Sequence, residues 1–333
     1  LQFRASWRGN DDGLGLGADL WAARSKWSSD SIDQDIGTFG AKVGLRRPTW
    51  SAESRLLHHS EWTPLDARLA FGWSPLSLVS ASVDGVYQEH SNDRISQYAT
   101  ARVGISVPRG TRLPLGIPLP VGLELGGTVS HGERVDAPAL WELPTAEFSD
   151  YELMAAVDFG RRLKAEARWQ SLDAWQPLSY AAFPAIPSSA RQPRTEWLSL
   201  KAQLAPTSWF TVASHYEHPL DGFIPDGLPP HHAWTTATIS SRFLRNFPSG
   251  IFRLKVQGVV ETWSPGVIGR DAEGEAIEIK GLTFVRGIIQ LKIGPFVAYW
   301  DRVNFQANRN GQIPGYPIMS LGSSYGIRWE FNN

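Results

Sequence analysis

Along most of this chain every second residue is apolar, and that period of two constrains the fold more than any other feature. Tyr325, Ile327, Trp329 and Phe331 alternate with Gly326, Arg328 and Glu330. Successive side chains of an extended strand point to opposite faces, so this stretch reads as a strand with one apolar and one polar face. Phe39, Ala41, Val43 and Leu45 likewise oppose Gly40, Lys42, Gly44 and Arg46. Leu163, Ala165, Ala167 and Trp169 oppose Lys164, Glu166, Arg168 and Gln170. Phe252, Leu254, Val256 and Val260 oppose Arg253, Lys255, Gln257 and Glu261. A helix, with a period of 3.6, would scatter these charges around its cylinder.

The connections carry the second signal. Short ones fall at Arg46-Arg47-Pro48-Thr49, Ser74-Pro75-Leu76-Ser77, Gly160-Arg161-Arg162, Ala205-Pro206-Thr207-Ser208 and Gly294-Pro295. Long ones run over Ser130–Ser149, Ser171–Arg194, His218–His232, Ser264–Gly281 and Val303–Gly322. Short turns on one side and long loops on the other are the habit of outer-membrane barrels. The expected fold is therefore all-β: an antiparallel up-and-down transmembrane β-barrel occupying residues 1–333 as one domain. About 16–18 strands of roughly ten residues each are expected, the length that spans a bilayer when tilted. Turn parity gives about 17, with the first and last strands both running inward. A closed bacterial barrel needs an even number, so either the count is off by one or strands lie upstream of this chain. Upstream strands are the expectation, since no signal peptide opens the chain either.

Composition narrows the alternatives. Thirty-two basic against 33 acidic residues leave a formal charge of −1, which supplies no electrostatic basis for binding nucleic acid. No run of 18 apolar residues is present, so no transmembrane helix is expected. With no cysteine, neither a disulfide framework nor a thiolate metal site is available. Fifteen Trp, fifteen Phe and eight Tyr are many for a chain with so little continuous apolar sequence, and membrane interfaces select aromatics at strand ends. A soluble two-sheet protein would also show alternation. A propeller would show internal repeats of about 40–45 residues, and none is found.

No phosphate loop, paired-histidine zinc helix or serine elbow occurs, so the chain is not expected to be an enzyme, and no cofactor or metal is expected. Gly13-Leu14-Gly15-Leu16-Gly17 reads as small residues on a strand rather than a phosphate cradle. The ligand-binding candidates are side chains of the long loops: Trp141, Trp175, Tyr180, Phe183, Phe223, His231, His232 and Trp234. Aromatic faces there suit sugars, catecholates or peptides. Within the Pro229-Pro230-His231-His232 loop the adjacent histidines suit a metal, a haem or a metal chelate, with ordinary solvated loop histidines the favoured alternative; on a strand such a pair would face opposite sides. Arg55, Glu124, Glu166, Arg168, Lys201, Arg253, Lys255 and Glu261 are expected to line the lumen. Mixed signs suit a water-filled channel, and equally a wall that pairs with a plug.

From Asp301 onward the chain resembles the end of TonB-dependent outer-membrane receptors. Asp301-Arg302-Val303-Asn304-Phe305 is similar to the segment closing their penultimate strand, and Ile313-Pro314-Gly315-Tyr316-Pro317 with Gly322 to their last external loop. Tyr325, Ile327, Trp329 and Phe331 are similar to their terminal strand, whose final aromatic the barrel-assembly machinery recognises. Here Asn332 and Asn333 follow that aromatic. The resemblance implies a 22-stranded barrel in the outer membrane of a Gram-negative-type bacterium. It also implies a small-molecule ligand such as a siderophore, oligosaccharide or vitamin chelate, and coupling to the TonB complex through a plug that this chain lacks. Outer-membrane lipid and the assembly machinery are the other implied partners. The alternative is a passive general or substrate-selective porin of about 16 strands.

Overall fold

A computed structural model describes residues 2–11, 13–29, 32–60, 63–90, 93–112, 117–135, 145–173, 178–179, 186–187, 193–220, 231–270, 275–306 and 322–329. The strands follow the alternating segments of the sequence. The first ten are β1 (Gln2–Asp11), β2 (Leu14–Ser29), β3 (Ile32–Arg46), β4 (Trp50–His59), β5 (Leu65–Leu76), β6 (Val79–Glu89), β7 (Ile95–Val107), β8 (Gly122–Val135), β9 (Thr145–Asp158) and β10 (Leu163–Leu172). Two short strands follow, β11 (Leu178–Ser179) and β12 (Ile186–Pro187), and then β13 (Thr195–Leu204), β14 (Phe210–Pro219), β15 (His232–Ser241) and β16 (Phe252–Trp263). The chain continues through β17 (Gly266–Arg270), β18 (Ala276–Ile279), β19 (Leu282–Ile293), β20 (Phe296–Val303) and β21 (Gly322–Trp329). No helix occurs among the described residues.

Seventeen of these strands form one antiparallel sheet, while β11–β12 and β17–β18 are separate two-stranded pairs. Strands consecutive in sequence pair with each other wherever the register is described, skipping only the two small hairpins. The chain divides into two compact units. One comprises Leu1–Pro108, Glu124–Met154 and Gln170–Gln176; the other comprises Arg109–Leu123, Ala155–Trp169 and Pro177–Asn333.

Within the first unit the register keeps like faces together. Lys42 opposes Arg55, and Arg55 opposes Arg68, while Val43, Ser54 and Leu69 follow one another on the other side. Arg8 pairs with Asp19 at 2.9 Å, and Ser6 donates to the same carboxylate at 2.6 Å. In the second unit Arg286 pairs with Asp301 across β19 and β20, on the face that also carries Lys292 and Arg328.

The apolar faces are the bare ones. Leu69 is 65% exposed and Ile327 76%, and Val103, Leu125, Leu153 and Trp73 are exposed as well. Among the described residues the buried hydrophobic side chains are Ala146, Phe148, Leu282 and Val297, and all four share a face with charged residues. Phe148, for example, packs edge-on to Tyr98 and lies 4.2 Å beneath the Arg134 guanidinium. A soluble sandwich would bury the apolar face and leave the polar one wet. This sheet leaves its apolar face bare, as a membrane-spanning one must.

Aromatics gather at the edge where the short turns lie. Trp50 stacks near Phe71, Phe247 on Phe252 at 4.8 Å and Phe296 beside Trp329 at 4.5 Å. Indoles and phenyl rings settle at a membrane interface for the amphipathic reasons that drive such girdles.

Several expectations need correction. Gly13 is in the β1–β2 turn at φ 76°, so the glycine run enters β2 only from Leu14. Pro75 and Leu76 belong to the irregular end of β5 rather than to a turn, because the register shifts between Trp73 and Leu76. Within the long Ser264–Gly281 connection β17 and β18 pair. The short–long alternation also has exceptions. The β7–β8 and β15–β16 connections, residues 108–121 and 242–251, are long yet lie on the short-turn side. Asn304 ends β20 fully buried with φ 54°, a left-handed conformation that asparagine tolerates better than most residues.

Candidate functional site

In the second unit, β13 to β16 bring titratable and aromatic side chains together on the polar face. The antiparallel registers set them in two cross-strand rows. Ser199, Glu217, His232 and Trp263 form one row, and Lys201, His215, Trp234 and Glu261 form the next. Directly opposed residues place their Cβ atoms about 4.5–5.5 Å apart, so side chains along and between the rows can meet.

They meet as a ladder of two hydrogen bonds and two ion-pair contacts. Ser199 Oγ lies 2.9 Å from His215 Nε2, which is 3.1 Å from Glu217 Oε1. The other Glu217 oxygen is 4.0 Å from His232 Nδ1. His232 Nε2 is 2.9 Å from Glu261 Oε1, and its ring lies 4.0 Å from that of Trp263. Each imidazole offers one donor and one acceptor when neutral, so the ladder can carry polar contacts along its length. Lys201 leaves the cluster and meets Glu166 at 3.3 Å, which also accepts from Arg168 at 3.1 Å. Trp234 lies directly opposite Glu261, and Trp263 directly opposite His232. The patch therefore suits a planar ligand that donates hydrogen bonds. Among the described residues no group of three or more His, Cys, Asp or Glu is arranged to hold a metal ion.

His231 and His232 part company. β15 begins at His232, directly opposite Glu217, and that ring turns to the polar face. His231 instead stacks on His218, with centroids 4.4 Å apart and planes within 6°. Its Nδ1 lies 2.7 Å from the Tyr216 hydroxyl. The two imidazoles thus turn to opposite faces, as neighbouring side chains on a strand do, and do not meet as a pair. Trp234 also proves to be a strand residue rather than a loop aromatic. Trp141, Trp175, Tyr180, Phe183 and Phe223 lie outside the described residues, as does Phe331.

The residues expected to line a lumen occupy the polar face. Arg253 donates from Nε to Ser240 Oγ at 3.2 Å, and Lys255 opposes Ser240 and Gln290. Glu124 lines a recess of about 440 Å³ that also includes Arg46, Arg102 and Glu152. Arg55 lines another of about 370 Å³. On β21, Tyr325, Ile327 and Trp329 share the apolar face and are exposed. His215, Glu217 and Trp263 were not anticipated. The sequence holds half their signal, since His215 and Glu217 alternate with Tyr216 and His218, but only the register brings β15 and β16 alongside.

No family model matches the sequence, and no curated protein matches it. Solved structures resemble the fold. The copper transporter OprC aligns at a TM-score of 0.49 and 9% identity, covering 99% of this chain and 65% of that one. The ferric yersiniabactin uptake receptor FyuA from Yersinia pestis aligns at 0.47 and 9%, covering 98% and 56%. The ferric preacinetobactin receptor BauA from Acinetobacter baumannii aligns at 0.40 and 10%, covering 98% and 77%. The chain spans about two thirds or less of the length of the first and second of these. These alignments extend over nearly the whole chain at 9–10% identity.

Proposed function

We propose that this chain is barrel wall from an outer-membrane transport protein of a Gram-negative-type bacterium, and that the protein takes up a scarce ligand with energy supplied through the TonB complex. A siderophore, an oligosaccharide or a vitamin chelate fits the role. The observation that carries the reading is the inverted packing: apolar faces exposed along the strands, charged faces paired internally. Lipid is the partner such faces require, and an aromatic-ended last strand is what the assembly machinery reads. The ladder of His215, Glu217, His232 and Glu261 beside Trp234 and Trp263 supports a ligand-contacting wall. No nucleophile–base pair is assigned a reaction, and the protein acts as a transporter rather than an enzyme.

A gated receptor and an open porin differ in conductance. The full-length protein, reconstituted in planar bilayers, should pass almost no steady KCl current. Steady ohmic conductance from the purified full-length protein overturns energised uptake in favour of passive diffusion.

A further inference from the structure

We infer that the polar face of β3 to β7 holds a seat for a small oxyanion, a carboxylate or phosphate borne by a solute, centred on Arg55. The inference needs only that this face be open to water, and it stands apart from the uptake reading.

Three cations share one cross-strand row there. Lys42 of β3 lies directly opposite Arg55 of β4, which lies directly opposite Arg68 of β5. Like charges directly opposed destabilise a sheet, so such a row calls for counter-charge. Carboxylates supply it at both ends. Lys42 pairs with Glu53 at 2.6 Å. Arg68 donates from Nε and an Nη to the two oxygens of Asp66 at 2.9 and 3.0 Å. Asp84, which also lines the recess, is taken by Arg102.

Arg55 is the cation left over. Asp66 feels its charge, but the Asp66 oxygens already accept from Arg68 and from Gln88, the latter at 3.0 Å. The Arg55 Nε is shut off from solvent with no hydrogen-bond partner, a costly state for a charged donor. Its guanidinium lies 5.9 Å from the Trp21 ring centroid. That indole can lie there because Gly40 faces it, where a Cβ would collide with the ring. At that distance the indole offers a cation–π contact at its outer range, and with Nε closed off it is the two Nη groups that remain to grip an oxyanion through paired N–H donors.

The recess in front, about 370 Å³, also receives Tyr98 and Thr100; the Tyr98 hydroxyl suits a further oxygen atom of the same ligand, while Thr100 Oγ1 is engaged with Ser130 Oγ at 2.9 Å. Its size admits a phosphate or a small di- or tricarboxylate.

The test uses the whole chain, folded in detergent micelles at low ionic strength. Inorganic phosphate and citrate are titrated separately by calorimetry, which distinguishes the two oxyanion classes. Saturable binding of at least one is expected, weakening at least tenfold on Arg55→Gln and unchanged on Arg253→Gln. Absence of saturable binding to both overturns the seat, as does equal affinity in Arg55→Gln. A second readout is unfolding. In anion-free buffer Arg55→Gln should raise the urea midpoint by relieving the like-charge row, and the bound anion should erase that advantage by stabilising only the parent. If Arg55→Gln does not fold, Arg55→Lys replaces it, keeping the charge and losing the fork. A several-fold weaker affinity then supports the seat, and an unchanged one overturns it.

Discussion

At the scale of single residues, the face a side chain occupies decides what a substitution costs. Val256 and Gln257 are neighbours on β16, yet Val256 opposes Ile239 and Ile289 whereas Gln257 opposes Thr238 and donates to its hydroxyl at 3.0 Å. An arginine at Val256 faces hydrocarbon, and Val256→Arg should lower unfolding stability in lipid vesicles by about 2–4 kcal/mol. Gln257→Arg should change it by less than about 0.5 kcal/mol, as at an ordinary wet position. Equal losses in urea titrations would exchange the two faces. A different residue-scale effect is expected at His90, in the β6–β7 connection. Burial chiefly, and then the nearby Arg94 charge, hold its imidazole below the ordinary histidine value. The unfolded chain therefore binds the proton more readily. Stability from this residue is present above the unfolded value of about 6.5 and is lost as pH falls below it. Proton NMR of labelled histidine should show His90 titrating below free histidine, and Ser96→Ala should perturb it through the 2.9 Å contact between His90 Nε2 and Ser96 Oγ.

At the scale of elements, the ladder strands and the small hairpins are separable. β16 and β19 pair without interruption from Phe252–Ile293 to Trp263–Leu282, while β17 and β18 pair only with each other. Replacing residues 266–279 with a short Gly-Ser linker should therefore leave the folded band intact in unboiled gel electrophoresis, since loop closure costs little at this length. Loss of that band would show that the hairpin braces the sheet. β21 is expected to behave in the opposite way. Tyr325, Ile327 and Trp329 form a continuous apolar face, and Trp329 packs beside Phe296. Removing residues 329–333 should lower the amount of protein inserted in the outer membrane while leaving export across the inner membrane unchanged, measured by fractionation.

At the scale of the whole molecule, orientation is the quantity to test. Backbone rich in proline and lacking regular pairing cannot lie in hydrocarbon without leaving polar groups unsatisfied, so the long connections belong to water. Among the long connections, Ser171–Arg194 and His218–His232 are expected outside the cell. Epitope tags inserted at Ser188 and Asp226 should be recognised on intact cells. Recognition only after the outer membrane is opened would reverse the direction of every strand.

How much of this was legible beforehand follows from the physics of strands. The period-two pattern of Leu163–Gln170 or Phe252–Glu261 is local, so the sequence alone determined strand type, the two faces of each strand and the absence of a conventional core. Adjacent residues on a strand diverge whatever their partners, but only placing His232 at the start of β15 showed that His231 and His232 obey that rule rather than a loop's freedom. Register is not local. It depends on which residues of two strands lie level, and a shift of one residue exchanges the faces. The opposition of Lys42, Arg55 and Arg68 and the meeting of His215, Glu217, His232 and Glu261 were therefore decided only by the tertiary structure, because each joins strands whose relative height the alternation leaves open.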